Sequence, residues 1–106
     1  MQVKRNEYKI IIVMKIYLIS YDLTIPESSL DYERLIKTIQ DSFEYWAKPL
    51  KSLWLIKTAQ PRDEVMRVLR TVTDPNDKIL VIEVTSDWIA FNINSEVIEW
   101  MRGNII

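Results

Sequence analysis

Residues 15–22 read Lys-Ile-Tyr-Leu-Ile-Ser-Tyr-Asp, a run rich in β-branched and aromatic side chains that Pro26 follows closely. Such a run predicts a β-strand. Along it, Ile16 and Leu18 alternate with Tyr17 and Ile19, so apolar side chains point to both faces of the sheet. A strand of this kind needs apolar cover on both sides.

The segments that follow predict a helix, two strands, a second helix and a final strand. Apolar residues at three- and four-residue steps indicate a helix over residues 29–43, and Pro61 suits the first turn of a second helix. Two short apolar runs flank a turn at Pro49-Leu50-Lys51, and a further strand covers Lys78 to Thr85. The order β-α-β-β-α-β predicts an α+β domain of the ferredoxin-like type, with an antiparallel sheet and two helices on one face.

The 106 residues suit one domain, with additions at both ends. Residues 1–13 are interpreted as an N-terminal extension, from an upstream start codon or a lengthened first strand. Residues 87–106 form a C-terminal extension with a candidate fifth strand at Trp88–Ile93 and a short helix near Ser95–Arg102. The apolar stretch at 10–19 is interrupted by a lysine and is about half the length of a membrane helix, so we expect a cytoplasmic protein without membrane contact.

Two helices can cover only one face of a four-stranded sheet. Yet the last predicted strand has Leu80 and Ile82 on one face and Ile79 and Val81 on the other, and the 52–58 strand shows the same pattern. Something must cover the second face. A symmetric second copy is favoured over the C-terminal extension, which predicts a homodimer.

The residues that are missing restrict the chemistry. The chain has no Cys and no His, which excludes thiol nucleophiles, imidazole bases and the usual zinc centres. Its single Gly excludes a glycine-rich phosphate loop, and its formal charge of −1 gives no global attraction to nucleic acid. The remaining options are carboxylates, Lys, Arg, Tyr and hydroxyl groups, and a hard cation such as magnesium held by oxygen ligands.

Asp22 is the candidate catalytic and metal-binding residue. It ends the first strand on the same parity as Ile16 and Leu18, so a nearby twofold axis could bring two Asp22 carboxylates together to hold magnesium. The alternative is a strand-end residue that bonds the turn before Pro26. Glu83 is a candidate second ligand, or the partner of Lys15 or Lys57 in an interface ion pair.

The aromatic and basic residues permit a role in binding nucleic acid but favour structural roles. Four tryptophans could stack on bases, but Trp54 is predicted to be core, and Trp88 and Trp100 to serve in packing or an interface. Three arginines on the second helix, at positions 62, 67 and 70, are more typical of a solvated helix face than of a phosphate-binding stripe.

The chain resembles the SinR-like proteins, within the superfamily of the CRISPR-associated Cas-two proteins and the VapD toxin RNases. The resemblance covers residues 14 to about 93 and is carried by Lys15-Ile-Tyr-Leu-Ile-Ser-Tyr-Asp22, Tyr45-Trp46, Ser52-Leu-Trp-Leu-Ile-Lys-Thr58, Asn76-Asp77-Lys78, Val81-Ile-Glu-Val-Thr85 and Asp87-Trp88. It implies a ferredoxin-like dimer in which the Asp of Tyr21-Asp22 binds a metal for phosphodiester cleavage. In the SinR-like branch a His often follows the aromatic pair, whereas this chain has Ala47, which argues against an imidazole-assisted mechanism.

Two functions follow as expectations. The first is a nucleic-acid-associated homodimer, with magnesium-dependent cleavage of RNA or DNA through Asp22. The second is a non-catalytic assembly or adaptor module that binds a partner protein. A small-ligand regulatory domain is less favoured, and the sequence leaves open whether the protein is an enzyme.

Overall fold

The structure, a computed structural model, describes residues 13–26 and 29–106. Its elements, in chain order, are β1 (Lys15–Asp22), α1 (Leu30–Ser42), β2 (Tyr45–Leu50), β3 (Leu53–Thr58), α2 (Arg62–Arg70), β4 (Lys78–Glu83) and α3 (Ser95–Asn104). The strands form one antiparallel sheet in the order β2-β3-β1-β4, which makes β2 and β4 the edges. The predicted α+β class with an antiparallel sheet is confirmed.

The main core lies between one face of the sheet and the helices α1 and α2. Ile19 and Trp54 from the sheet pack with Leu35 and Leu69 from the helices, and all four are buried. The indole Nε1 of Trp54 donates a hydrogen bond of 3.0 Å to the hydroxyl of Tyr21. The buried indole N–H of Trp54 therefore has a hydrogen-bond acceptor. The prediction that Trp54 is a core residue is confirmed.

The β2–β3 hairpin differs from the sequence prediction in the position of its turn. Pro49 lies inside β2, and the connection to β3 is Lys51-Ser52. Because β2 is an edge strand, a residue without an N–H can sit there without removing a bond from the sheet interior. The pairing of β2 with β3 shifts register between Ala47 and Leu50, around the proline.

Helix α3 packs against one end of the second face of the sheet. Met101 and Ile105 are buried there against Ile16 and Leu55, and Lys57 Nζ donates a 3.3 Å hydrogen bond to Asn104 Oδ1. The chain's own C-terminal extension therefore covers this end. The prediction that a second copy covers the second face is wrong for the α3 end.

The predicted fifth strand is also wrong. Trp88–Ile93 is an irregular loop that forms no pairing with the sheet. Asn92 has a positive φ of 59°, in the left-handed region that turns the chain and ends an extended segment. The predicted helix after it is confirmed and runs to Asn104.

The N-terminal extension assigned to residues 1–13 lies outside the described residues, apart from Val13. Within the part of the chain that the structure describes, no helix combines the length and the apolar character needed to cross a membrane.

Candidate functional site

Asp22 ends β1 on the face of the sheet that points away from α1 and α2. Its side chain is exposed, and its partner in the antiparallel register is Lys78, the first residue of β4. Antiparallel partners project from the same face of a sheet, so a carboxylate and an ammonium group lie side by side at this end. The strand alternation of β1 thus places Asp22 where the sequence put it, on the face of Ile16 and Leu18.

The part of this face nearest to Asp22 is not covered by α3. We call the side chains of Leu18, Leu50, Leu53, Leu80 and Ile82 the apolar patch. Leu80 and Leu53 both lie opposite Ser20, two residues before Asp22, and Ile82 lies opposite Leu18. Leu50 and Leu80 are 55% and 53% exposed. An apolar surface that spans all four strands therefore borders the candidate carboxylate.

A groove of about 630 Å³ runs between the apolar patch and the loop after β4. Leu18, Leu50 and Leu53 line its floor, and the Trp88–Ile93 loop forms one wall. Its lining is mostly hydrocarbon, which favours apolar side chains over phosphate or a hydrated cation as an occupant.

A hydrogen-bond network fixes the segment that follows Asp22. Asp77 Oδ1 accepts from the backbone N–H of Thr24 at 3.0 Å and from its hydroxyl at 3.1 Å, and Asp77 Oδ2 accepts from the N–H of Asp74 at 2.9 Å. Burial opposes ionisation, but these bonds and the nearby charge of Arg70 outweigh it and hold the pKa of Asp77 below its ordinary value. The turn before β4 is thereby tied to the end of β1.

Sequence reasoning missed the role of Asp77. The composition Asp74-Pro75-Asn76-Asp77 predicts only a turn, and Asp77 does bond within it. The bond to Thr24 joins residues 53 positions apart, and no local pattern signals it.

Glu83 does not join Asp22. It lies opposite Tyr17, whose side chain belongs to the main core, so it projects from the other face of the sheet. Its carboxylate lies 3.7 Å from Lys15 Nζ. The prediction of Glu83 as a second metal ligand is wrong because of this parity. Its ion pair with Lys15 is present, but within one chain, and no partner copy tests the predicted interface.

Asp22 therefore does not gain a second carboxylate from Glu83. Among the residues described, no three acidic side chains form a group that could hold a metal ion. Magnesium in proteins is commonly held by one or two carboxylates, with waters and substrate phosphates completing its shell. Asp22 fits such an ion as one ligand, and Asp22 of a second copy would supply a second carboxylate.

The candidate stacking and phosphate-binding residues have other contacts. Trp54 is buried in the main core. Trp88 and Trp100 pack against the buried cluster under α3, which we call the α3 cluster: Ile16, Leu55, Met101 and Ile105. Arg67 is bonded to Glu64 one turn earlier on α2. Arg70 donates to the carbonyl oxygen of Asp74 at 2.8 Å. These bonds favour the solvated helix face over a phosphate-binding stripe.

Compared with protein-family models, curated proteins and solved structures, the chain gives no match.

Proposed function

We propose that the protein is a nucleic-acid-associated homodimer of ferredoxin-like fold, of the type found in the Cas-two superfamily. The observation that carries the proposal is the position of the apolar patch. Helix α3 covers the end of the second face that is remote from Asp22 and leaves the Asp22 end open. The element order up to β4 and the strand order β2-β3-β1-β4 support the fold assignment.

A second copy bound across the apolar patch would bury it around a twofold axis close to β1. Such an interface is self-complementary, since each copy presents the same surface. The axis would bring Asp22 of each copy toward the other, and the two carboxylates would together hold a magnesium ion. Bound there, magnesium would polarise a phosphodiester and lower the pKa of an attacking water.

Lys78 gives this site a means of holding the nucleic-acid backbone. Each copy would place one lysine next to its Asp22, and lysine is a common contact of phosphate oxygens. Such contacts position a strand without reading its bases, so they suit a substrate chosen by shape or strandedness, whether RNA or DNA.

Cleavage of labelled RNA and DNA by the wild type and by Asp22→Asn, with magnesium or with EDTA, tests the catalytic part. We expect magnesium-dependent cleavage that falls by about 100-fold or more in Asp22→Asn, since the substitution removes the charge that would hold the ion. Asp41→Asn, on the exposed end of α1, is the matched control and should cleave like the wild type. Equal cleavage by Asp22→Asn and the wild type would remove Asp22 from the mechanism.

The second candidate function is a non-catalytic assembly module. The observation that favours it is the chemistry of the groove beside the apolar patch, which is mostly apolar and so resembles a protein-binding surface more than a phosphate-binding one. This candidate predicts no cleavage of any substrate by the wild type. It also predicts a partner protein that the wild type retains from the native host and Leu80→Asp does not. Equal retention by both proteins would argue against the apolar patch as the binding surface.

A further inference from the structure

A small pocket lies between α1 and the β2–β3 hairpin, at the same end of the sheet as Asp22 but on the opposite face. Its volume is about 270 Å³. We call it the basic pocket. Two lysines and a serine of the hairpin line it together with two tyrosines and an isoleucine: Lys48, Lys51, Ser52, Tyr21, Tyr32 and Ile36. Among the described residues, no Asp or Glu lines it.

The two lysines of the basic pocket have no acidic partner in the part of the chain that the structure describes. Lys15, by contrast, has its Nζ 3.7 Å from the carboxylate of Glu83. Lys48 Nζ lies 5.0 Å from the centre of the Trp54 ring, a contact that attracts the ammonium group without neutralising its charge. The pocket therefore carries the positive charge of both Lys48 and Lys51.

Hydrogen bonds hold the aromatic walls of the basic pocket in place. The hydroxyl of Tyr21 accepts from the indole N–H of Trp54 at 3.0 Å, and the hydroxyl of Tyr32 accepts from the backbone N–H of Leu23 at 3.2 Å. The backbone N–H of Tyr21 donates to the carbonyl oxygen of Ser52 at 3.4 Å, which ties the end of β1 to the hairpin turn. Because both tyrosines are fixed in this way, less entropy is lost when a ligand binds against them.

The charge and size of the basic pocket match a phosphate monoester. Such a group carries a charge of about −1.5 to −2 at pH 7 and three acceptor oxygens. Lys48 and Lys51 supply two positive charges with three N–H donors each, and Ser52 adds a hydroxyl. A phosphodiester inside a strand has a single negative charge, and its chain must leave the pocket on both sides. The pocket therefore suits a strand end better than the middle of a strand.

We propose that the basic pocket binds the terminal phosphate of a nucleic-acid strand. This inference rests on the proposed function and adds the feature by which the protein selects a strand, a phosphorylated end. Asp22 directly follows Tyr21 in β1, so the bound end lies at the same end of the sheet as the candidate carboxylate. The pocket thus sets how far from the strand's end the bond presented to Asp22 lies.

Fluorescence anisotropy with labelled single strands tests this proposal. Three versions of one oligonucleotide, with the label on an internal base, carry a 5′-phosphate, a 3′-phosphate or no terminal phosphate. They are titrated with the wild type at about 0.1 M salt, where exposed charges are partly screened. EDTA is present to prevent metal-dependent cleavage. We expect one of the phosphorylated strands to bind about 10-fold tighter than the unphosphorylated strand, because hydrogen bonds between two charged groups are strong.

Lys51→Gln should remove most of this preference, since it removes one of the two charges. The double variant Lys48→Gln/Lys51→Gln should remove all of it. Lys51 has an exposed side chain, so the single variant should keep the wild-type circular dichroism spectrum even where loss of the Trp54 contact destabilises the double variant. Lys15→Gln is the matched control: it makes the same charge change at the other end of β1 and should keep the preference.

The outcomes separate this inference from the proposed function. A preference for one phosphorylated end that Lys15→Gln keeps and Lys51→Gln loses supports the terminal-phosphate site. Equal affinity of the wild type for all three strands, or a preference that Lys51→Gln retains in full, overturns the site but leaves nucleic-acid association in place. Failure to bind any strand overturns both. Inorganic phosphate that competes as strongly as the phosphorylated strand would assign the pocket to the free anion and overturn its role at a strand end.

Discussion

Asp77 Oδ1 accepts two hydrogen bonds from Thr24, one from its backbone N–H at 3.0 Å and one from its hydroxyl at 3.1 Å. Thr24 lies two residues after Asp22, and Asp77 immediately precedes Lys78, the register partner of Asp22. One carboxylate therefore fixes the two chain segments that present the candidate site. We infer that Asp77 positions Asp22 and Lys78 without contacting a substrate.

Replacing Asp77 by Ala should destabilise the fold. The substitution removes three hydrogen bonds and leaves the N–H groups of Thr24 and Asp74 without that acceptor, a loss of about 1–2 kcal/mol at a partly exposed site. Urea denaturation followed by circular dichroism measures it. Asp63→Ala is the control, because the exposed ion pair of Asp63 with Arg62 contributes little. A free energy of unfolding for Asp77→Ala equal to that of the control would contradict this role.

The same carboxylate should make stability depend on pH. A carboxyl group whose pKa is lower in the folded state stabilises the fold above its unfolded pKa, near 3.9, and this contribution is lost as the pH falls through the folded pKa. The stability difference between the wild type and Asp77→Asn should therefore be constant above about pH 5 and shrink at lower pH. Denaturation curves across that range measure it. Parallel pH profiles for the two proteins would mean that the folded pKa of Asp77 is not depressed.

The hydroxyl of Tyr21 is expected to stabilise the main core. Tyr21→Phe leaves the buried indole N–H of Trp54 without that acceptor, which should lower the free energy of unfolding by about 1–3 kcal/mol. Tyr45→Phe removes the same atom from an exposed side chain and should change stability by less than about 0.5 kcal/mol. Equal effects of the two substitutions would show that the bond from Trp54 contributes no net stability.

The packing of α3 on the sheet can be tested with two adjacent isoleucines. Ile105 is 7% exposed against Ile16 and Leu55, whereas Ile106 is 95% exposed. Ile105→Ala should cost about 2–4 kcal/mol through lost burial and the cavity left behind, and Ile106→Ala less than about 0.5 kcal/mol. Thermal or urea unfolding compares them. Similar small losses for both variants would indicate that α3 does not cover this end of the sheet.

The strands and helices followed from local patterns wherever those patterns agreed with the tertiary contacts. β1 has the bounds expected from its alternation, Lys15–Asp22, and α1 lies within one residue of its predicted ends. The Trp88–Ile93 segment has strand-forming residues, but the turn at Asn92 and the packing of Trp88 on the α3 cluster prevail over that propensity. Propensity is a weak guide where packing decides.

The sequence predicted the position of Asp22 but not the residues that surround it. Strand parity predicted the face of Asp22, because alternation along a strand is fixed by its geometry. The docking position of α3, the register that places Glu83 opposite Tyr17 and the bond from Thr24 to Asp77 all depend on contacts between distant segments. The spacing of Val97 and Met101 indicates that the last helix has a face to bury, but it does not indicate which end of the sheet that face covers.

Mass determination by light scattering coupled to size exclusion tests most directly whether a second copy covers the apolar patch. At micromolar concentration the wild type should elute with the mass of two 12.7 kDa chains. Leu80→Asp places a charge in the patch and should elute with the mass of one chain. Its circular dichroism spectrum should match that of the wild type. A wild type that elutes with the mass of a single chain would contradict the twofold assembly and the shared Asp22 site that depends on it.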